Sequence, residues 1–186
     1  MTASANLAEL TGDYELDPAH TRIGFVARHA MVTKVRGSFH EFQGHLHIDG
    51  GNPAKSRGEI NIVANSIDTG VADRDAHLRS NDFFDMPKFP EIKFVCTDVR
   101  PIDATTYEVT GDLSIKGTTR PVTLKMEYTG SATDPFGNLR LGLEGSVVVN
   151  RKDWGVNWNA TLEAGGVLVS DKVTIEVDVS AIRRSH

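Results

Sequence analysis

Apolar side chains recur at every second position in segment after segment of this chain, and that periodicity leaves few folds open. Ile23, Phe25 and Ala27 alternate with Arg22, Gly24 and Arg28. Tyr107, Val109, Gly111, Leu113 and Ile115 lie on one face of the next clear example, with charged and hydroxyl residues on the other. After Gly117 and Thr118 the pattern resumes as Val122, Leu124, Met126 and Tyr128, so the two runs read as a hairpin. Val173, Ile175, Val177 and Val179 close the chain in the same way. A period of two over so many segments excludes a helical bundle. Roughly eight strands joined by short turns predict an all-β fold, an eight-stranded antiparallel barrel rather than a parallel α/β sheet. Barrel closure removes exposed edges, and glycines inside strands (Gly24, Gly44, Gly111, Gly142) suit the bends it demands. The run from Val35 to Asp49 slips phase near Gly44, which predicts one strongly curved strand.

One segment breaks the alternation. Residues 74–85, RDAHLRSNDFFD, predict a short helix over about 71–80, with Thr69 and Asp73 as candidate N-caps. Val71 and Leu78 share an apolar face, and Arg74 and His77 share another. Phe83 and Phe84 follow, and Pro87 and Pro90 forbid further helix. This reads as a lid with a basic side and an aromatic tip, capping the barrel's opening. A barrel of about eight strands is either filled by its own side chains or holds one small ligand. A filled barrel needs no lid, which favours a cavity; a filled barrel whose helix docks another protein is the competing possibility.

The 186 residues suit one domain, with residues 1–11 as a flexible N-terminal arm. With 20 basic against 25 acidic residues, the net charge of −5 argues against nucleic acid as a partner. Cys96 is the single cysteine, so no internal disulfide forms. The first residues, MTASANLAELTGDYEL, lack the basic and apolar regions of a signal peptide, which predicts a cytoplasmic protein. Nowhere do about 18 apolar residues run together, so no membrane-spanning helix is expected; transient contact with a membrane surface and a homodimer both stay open. His45 and His47 lie two apart on one side of a strand, where His29 or His40 could join them, but neither HExxH nor CxxC spacing occurs and no metal is expected. His77 with Asp75 or Asp82 and Ser80 supplies residue types of acyl transfer, without a GxSxG elbow or a nucleotide fingerprint. A non-enzymatic binding protein is the leading reading, with an enzyme or metal protein on the same barrel, His77 at its helix, as the alternative.

The segments YELDPAHTRIGFVARHAMVTKVRGSFHEFQGHL, SIDTGVADRDAHLRSNDFFDMPKFPEIKF and YEVTGDLSIKGTTRPVTL, followed by RKDWG at Arg151–Gly155, resemble the successive signatures of the YceI-like family across nearly the whole chain. The resemblance implies a lipocalin-like barrel that holds a polyisoprenoid chain, as in isoprenyl pyrophosphates or the tail of an isoprenoid quinone, for sequestration or transport. No other cofactor is required. Many members are exported, whereas this chain shows no signal peptide, and Trp154, followed by Trp158, stands where many carry Phe. The tail is expected against Phe25, Ala27, Phe39, Ile62, Phe94 and Leu113, with Met126, Leu143 and Trp154 further along. Leu78, Phe83 and Phe84 are expected to close over it from the helix. Arg28, His29, Arg74 and His77 are the candidate head-group residues.

Overall fold

The computed structural model describes residues 7–159, 162 and 168–184. The strands run β1 (Gly12–Leu16), β2 (Arg22–His29), β3 (Thr33–Phe39), β4 (Phe42–Ile48), β5 (Arg57–Val63) and β6 (Ile67–Asp68). Helix α1 (Ala72–Arg79) intervenes before β7 (Glu91–Pro101), β8 (Thr106–Ile115), β9 (Thr118–Thr133), β10 (Leu139–Asn150) and β11 (Lys172–Arg183). All pair antiparallel in one sheet, in the order β1-β4-β5-β7-β8-β9-β10-β11-β2-β3-β6, and the sheet closes through β1 on β11.

Eight staves make that closed barrel, as expected. β1 and β2 both pair with β11, Leu16 opposite Ala181 and Ile23 opposite Val177, so together they form one interrupted stave. β3 and β4 pair with β2 and β1 in turn and form the next. The curved strand expected over 35–49 therefore exists, but its break falls at His40 and Glu41, not at Gly44. Gly44 lies within β4, where a Cβ would come within 2.8 Å of Leu16 Cδ1; its bare α-carbon makes room for that side chain.

Chain direction places the two ends of the barrel. The end holding the last residues of β2, β5, β8 and β10 also receives α1 and the turn Arg151–Trp154. At this end a cluster including Ile67, Phe83, Met86 and Trp154 is buried. The opposite end carries Tyr14, Leu141, Val179 and Ala181. It also carries Leu7–Leu10, a 3-10 turn inside the stretch expected to be a flexible arm. Leu10 is buried there, and its carbonyl accepts the Tyr14 hydroxyl at 2.6 Å. Apolar burial thus orders the arm from Leu7 on; residues 1–6 lie outside the described residues.

Neither expected N-cap caps α1. Val71 precedes the helix without a side-chain bond. Buried Asp75 instead reaches back, its Oδ1 accepting Thr69 N at 2.9 Å and Thr69 Oγ1 at 2.6 Å. Arg74 completes the clasp, donating to Thr69 Oγ1 at 2.6 Å and Thr69 O at 2.7 Å. A two-turn helix has little intrinsic stability, so its placement depends on these tethers and on packing.

Candidate functional site

Inside the barrel lies an apolar cavity of about 220 Å³. Ile23, Ile62, Leu113 and Val122 line its inner end, and Val109, Leu124, Met126 and Val177 its middle. Towards the Tyr14 end the walls become Tyr107, Tyr128, Ile48 and Leu10. Leu7, Gly50, Pro53 and Arg57 complete its lining at that end. On β9 alone Val122, Leu124, Met126 and Tyr128 all face it, a run of about 20 Å along the strand at ~3.3 Å per residue, or roughly 15 Å along the axis at the usual barrel tilt. The space is a channel.

Several of its polar neighbours are occupied elsewhere. Asp49 Oδ1 accepts Asn52 N at 2.9 Å, and Ser56 Oγ accepts Asp49 N at 2.9 Å. Arg57 Nη1 donates to Ala54 O and Ser56 O, at 3.0 and 2.7 Å. Glu59 pairs with Lys93 at 3.0 Å. Cys96 faces the cavity too, and burial pushes its thiol up from the ordinary range.

Of the expected tail residues, Ile62, Phe94, Leu113, Met126 and Leu143 do line this channel. Phe25, Phe39, Leu78, Phe83, Phe84 and Trp154 do not; they belong to a packed aromatic plug beneath its floor. Phe25 and Phe39 meet at 6.0 Å between ring centres, Phe39 and Phe84 at 6.5 Å, Phe83 and Trp158 at 5.3 Å. Trp154 ties the plug to the wall, its Nε1 donating to Leu113 O at 2.8 Å. Ala27 sits further out on β2, opposite Val35. Expected gaps are filled as well: Phe94 lies over Gly111 and Met126 Sδ over Gly145.

The expected head-group residues all fall at the plugged end and none lines the channel. Arg28 donates to Val32 O at 3.0 Å, His29 bridges to Val169, and Arg74 is spent on Thr69. His77 pairs with Asp82 at 2.8 Å and stacks edge-on against Phe83 and Trp158, at 5.0 and 4.5 Å. Its work is packing, and Ser80 Oγ turns to the His77 carbonyl instead of its ring. Helix α1 covers one end of the barrel, then, but as part of a solid base instead of a lid over the opening. His45 and His47 face Glu15 and Asp13 on the outer wall, and among the described residues no group of three or more His, Cys, Asp or Glu could hold a metal.

The RKDWG block also acquires a reason. Buried Arg151 donates to Ser170 O, Val156 O and Val169 O, at 2.9, 2.7 and 3.4 Å, stitching the turn before β11 to the plug. Burial pulls its pKa down from the usual arginine value.

A closed eight-stranded antiparallel barrel, sealed at one end and hollow towards the other, is the architecture of small apolar-ligand binders of the lipocalin-like type. The family model described as "YceI-like domain" matches residues 14–181, and the chain belongs to that family. It is similar to a UPF0312 protein of Shewanella denitrificans, 41% identical over 146 residues that cover 77% of this chain and 76% of that one. A UPF0312 protein of Photorhabdus laumondii is 39% identical over 168 residues, 87% of this chain and 86% of its own. Among solved structures, Burkholderia cenocepacia BcnA superposes with a TM-score of 0.79 at 22% identity, covering 89% of this chain and 98% of that one. A Saccharophagus degradans domain, described as polyisoprenoid-binding, reaches 0.69 at 13% identity over 92% of this chain and 98% of its own. At those identities the two structures speak for the fold.

Proposed function

We propose that this protein binds one prenyl chain, non-enzymatically, in its interior channel, to sequester or carry it. The observation that carries this reading is the apolar cavity of about 220 Å³, floored by the plug and reaching to Leu7 and Pro53 at the other end. The YceI-like membership and the neighbour described as polyisoprenoid-binding support it.

Length follows from geometry. With C–C bonds of about 1.5 Å, a four-bond isoprene repeat spans at most ~5 Å, so a channel of ~15 Å takes roughly three repeats. Fifteen carbons at about 0.8 kcal/mol each give ~12 kcal/mol before costs. Association and chain ordering remove at least several kcal/mol, which leaves an affinity of roughly micromolar class. Longer chains must project past the rim.

Native mass spectrometry of protein prepared without detergent tests the proposal. One prenyl lipid per chain is expected, either carried through purification or taken up from added fifteen-carbon prenyl ligand. Protein that carries none and takes up none would overturn it.

A further inference from the structure

The turn between β2 and β3 faces solvent at the plugged end of the barrel, and three of its properties are unfavourable for a turn with no further task. Ala30 and Met31 both take left-handed backbone, with φ of 51° and 64°, in a turn closed by Val32 N donating to His29 O at 3.1 Å. Glycine or asparagine holds such positions more easily, whereas this turn carries a methionine that is 59% exposed, followed by Val32 at 73%. On the outer face just behind them Arg28 lies directly opposite Lys34, a like-charge cross-strand pair of the kind that destabilises a hairpin. Arg28 Nη1 donates to an uncharged partner, Val32 O, at 3.0 Å. Exposed Lys172 adds a third cation, because it precedes Thr174 by two on the same face of β11 and Thr174 pairs with Val26. Among the described residues no carboxylate pairs with these three. Glu176 is taken by Arg22 and Arg36, at 3.3 and 3.6 Å, and Asp171 by Lys152, at 3.3 Å. The sequence carries the same bias: in a chain of net charge −5, residues 18–40 hold Arg22, Arg28, Lys34 and Arg36 and no Asp or Glu.

We propose that this tip docks the protein on an anionic lipid bilayer, with Met31 and Val32 entering the headgroup boundary while Arg28, Lys34 and Lys172 meet lipid phosphates. Each unfavourable feature of the free hairpin then finds its counterpart: the apolar side chains leave water, and the opposed cations gain anions that the protein does not supply. A soluble polyanion such as nucleic acid would meet the cations but leave Met31 and Val32 in water, so an apolar tip above a cationic collar fits lipid better. Docking does not depend on prenyl binding in the channel. A barrel held by this tip keeps its Tyr14 end away from the bilayer, so the contact tethers the protein and leaves that end of the channel free.

Flotation of the full chain with vesicles of phosphatidylcholine, alone or with about 30% phosphatidylglycerol, tests the docking. The protein should float with the anionic vesicles and stay behind with the neutral ones. Lys34→Gln with Lys172→Gln keeps the Arg28 bond to Val32 and should weaken this binding about thirtyfold, at the usual worth of a cation near an anionic membrane. Met31→Asn with Val32→Ser should weaken it about tenfold or more. Asparagine tolerates left-handed backbone, so that variant should resist urea at least as well as the parent, and its lost binding is not lost folding. Phe136→Ser, which alters an 87% exposed ring at the opposite end, should change nothing. Absence of binding to the anionic vesicles, equal binding to the neutral ones, or binding abolished by Phe136→Ser would overturn the proposal. Parent-like binding by either double variant would overturn it too; in the Met31→Asn, Val32→Ser case it would reveal a charged patch that takes any polyanion.

Discussion

Replacing Leu124 with Trp distinguishes a hollow barrel from a filled one by two opposite signs. Leu124 faces the channel two residues short of Val122 at the floor. An indole at that level closes the innermost ~5 Å of the axis, by strand rise and tilt, which is the length of one isoprene repeat. Five carbons lose about 4 kcal/mol of gross transfer energy. Taking half of that as offset by ordering no longer required, ~2 kcal/mol remains, or about thirtyfold in affinity for a fifteen-carbon chain. A ten-carbon chain ends short of the obstruction and should bind as before. Stability should hold within about 1 kcal/mol, because the added atoms enter empty space, whereas overpacking a solid core costs typically 1–3 kcal/mol. Titration with ten- and fifteen-carbon prenyl ligands, beside urea unfolding, reads both signs. A variant that unfolds several kcal/mol more easily and binds both ligands like the parent would refute the reasoning.

Trp154→Phe should cost about 0.5–1.5 kcal/mol in urea unfolding, because it removes the indole N–H bond to Leu113 O; an unchanged midpoint would show that the plug does not depend on this bond. Gly50→Ala should displace the Leu7–Leu10 turn, since a Cβ there would run into the Leu7 carbonyl, and so speed ligand release in stopped-flow exchange; an unchanged release rate in a folded variant would remove the turn from the exit path. Asp134 is held down from 3.8 to about 2, first by the backbone N–H of Asn138 and then by Arg140. A depressed carboxylate contributes stability above its ordinary pKa and loses it as the folded form protonates, so this contribution should fade between about pH 4 and pH 2. Acid unfolding of Asp134→Asn, followed by circular dichroism, should lack that part of the pH dependence; a curve matching the parent's would contradict it.

The barrel itself was legible in the alternation, because period-two burial is a local property that each strand displays on its own. Tyr107, Val109, Leu124, Tyr128 and Val177 already stood on the inward face by that signal, although only their role as strand residues was read from it. What the alternation cannot say is which end of a barrel stays open, since that depends on where connections of different lengths return in space. The aromatic tip at Phe83 and Phe84 and the cations Arg74 and His77 suggested a lid and a head-group site. In the fold, the prolines and tethers after α1 turn those rings inward onto Phe39 and Trp158, and the same segment becomes the floor. The glycines misled for a related reason. A missing side chain marks space near the backbone, but Gly37 and Gly111 give theirs to the rings of Phe25 and Phe94, not to a ligand. The open end is built by Leu7, Leu10, Gly50 and Pro53, whose meeting joins the first residues of the chain to a loop some forty positions later. No short-range pattern announces such a contact.

The most direct test of the channel is a crystal structure of the protein bound to a fifteen-carbon prenyl chain carrying iodine at its tail end. The anomalous peak should lie among Ile62, Leu113 and Val122 at the channel floor, with the chain running out past Tyr107 and Tyr128. A peak among Phe25, Phe84 and Trp158, or on the outer wall with the interior closed, would contradict it.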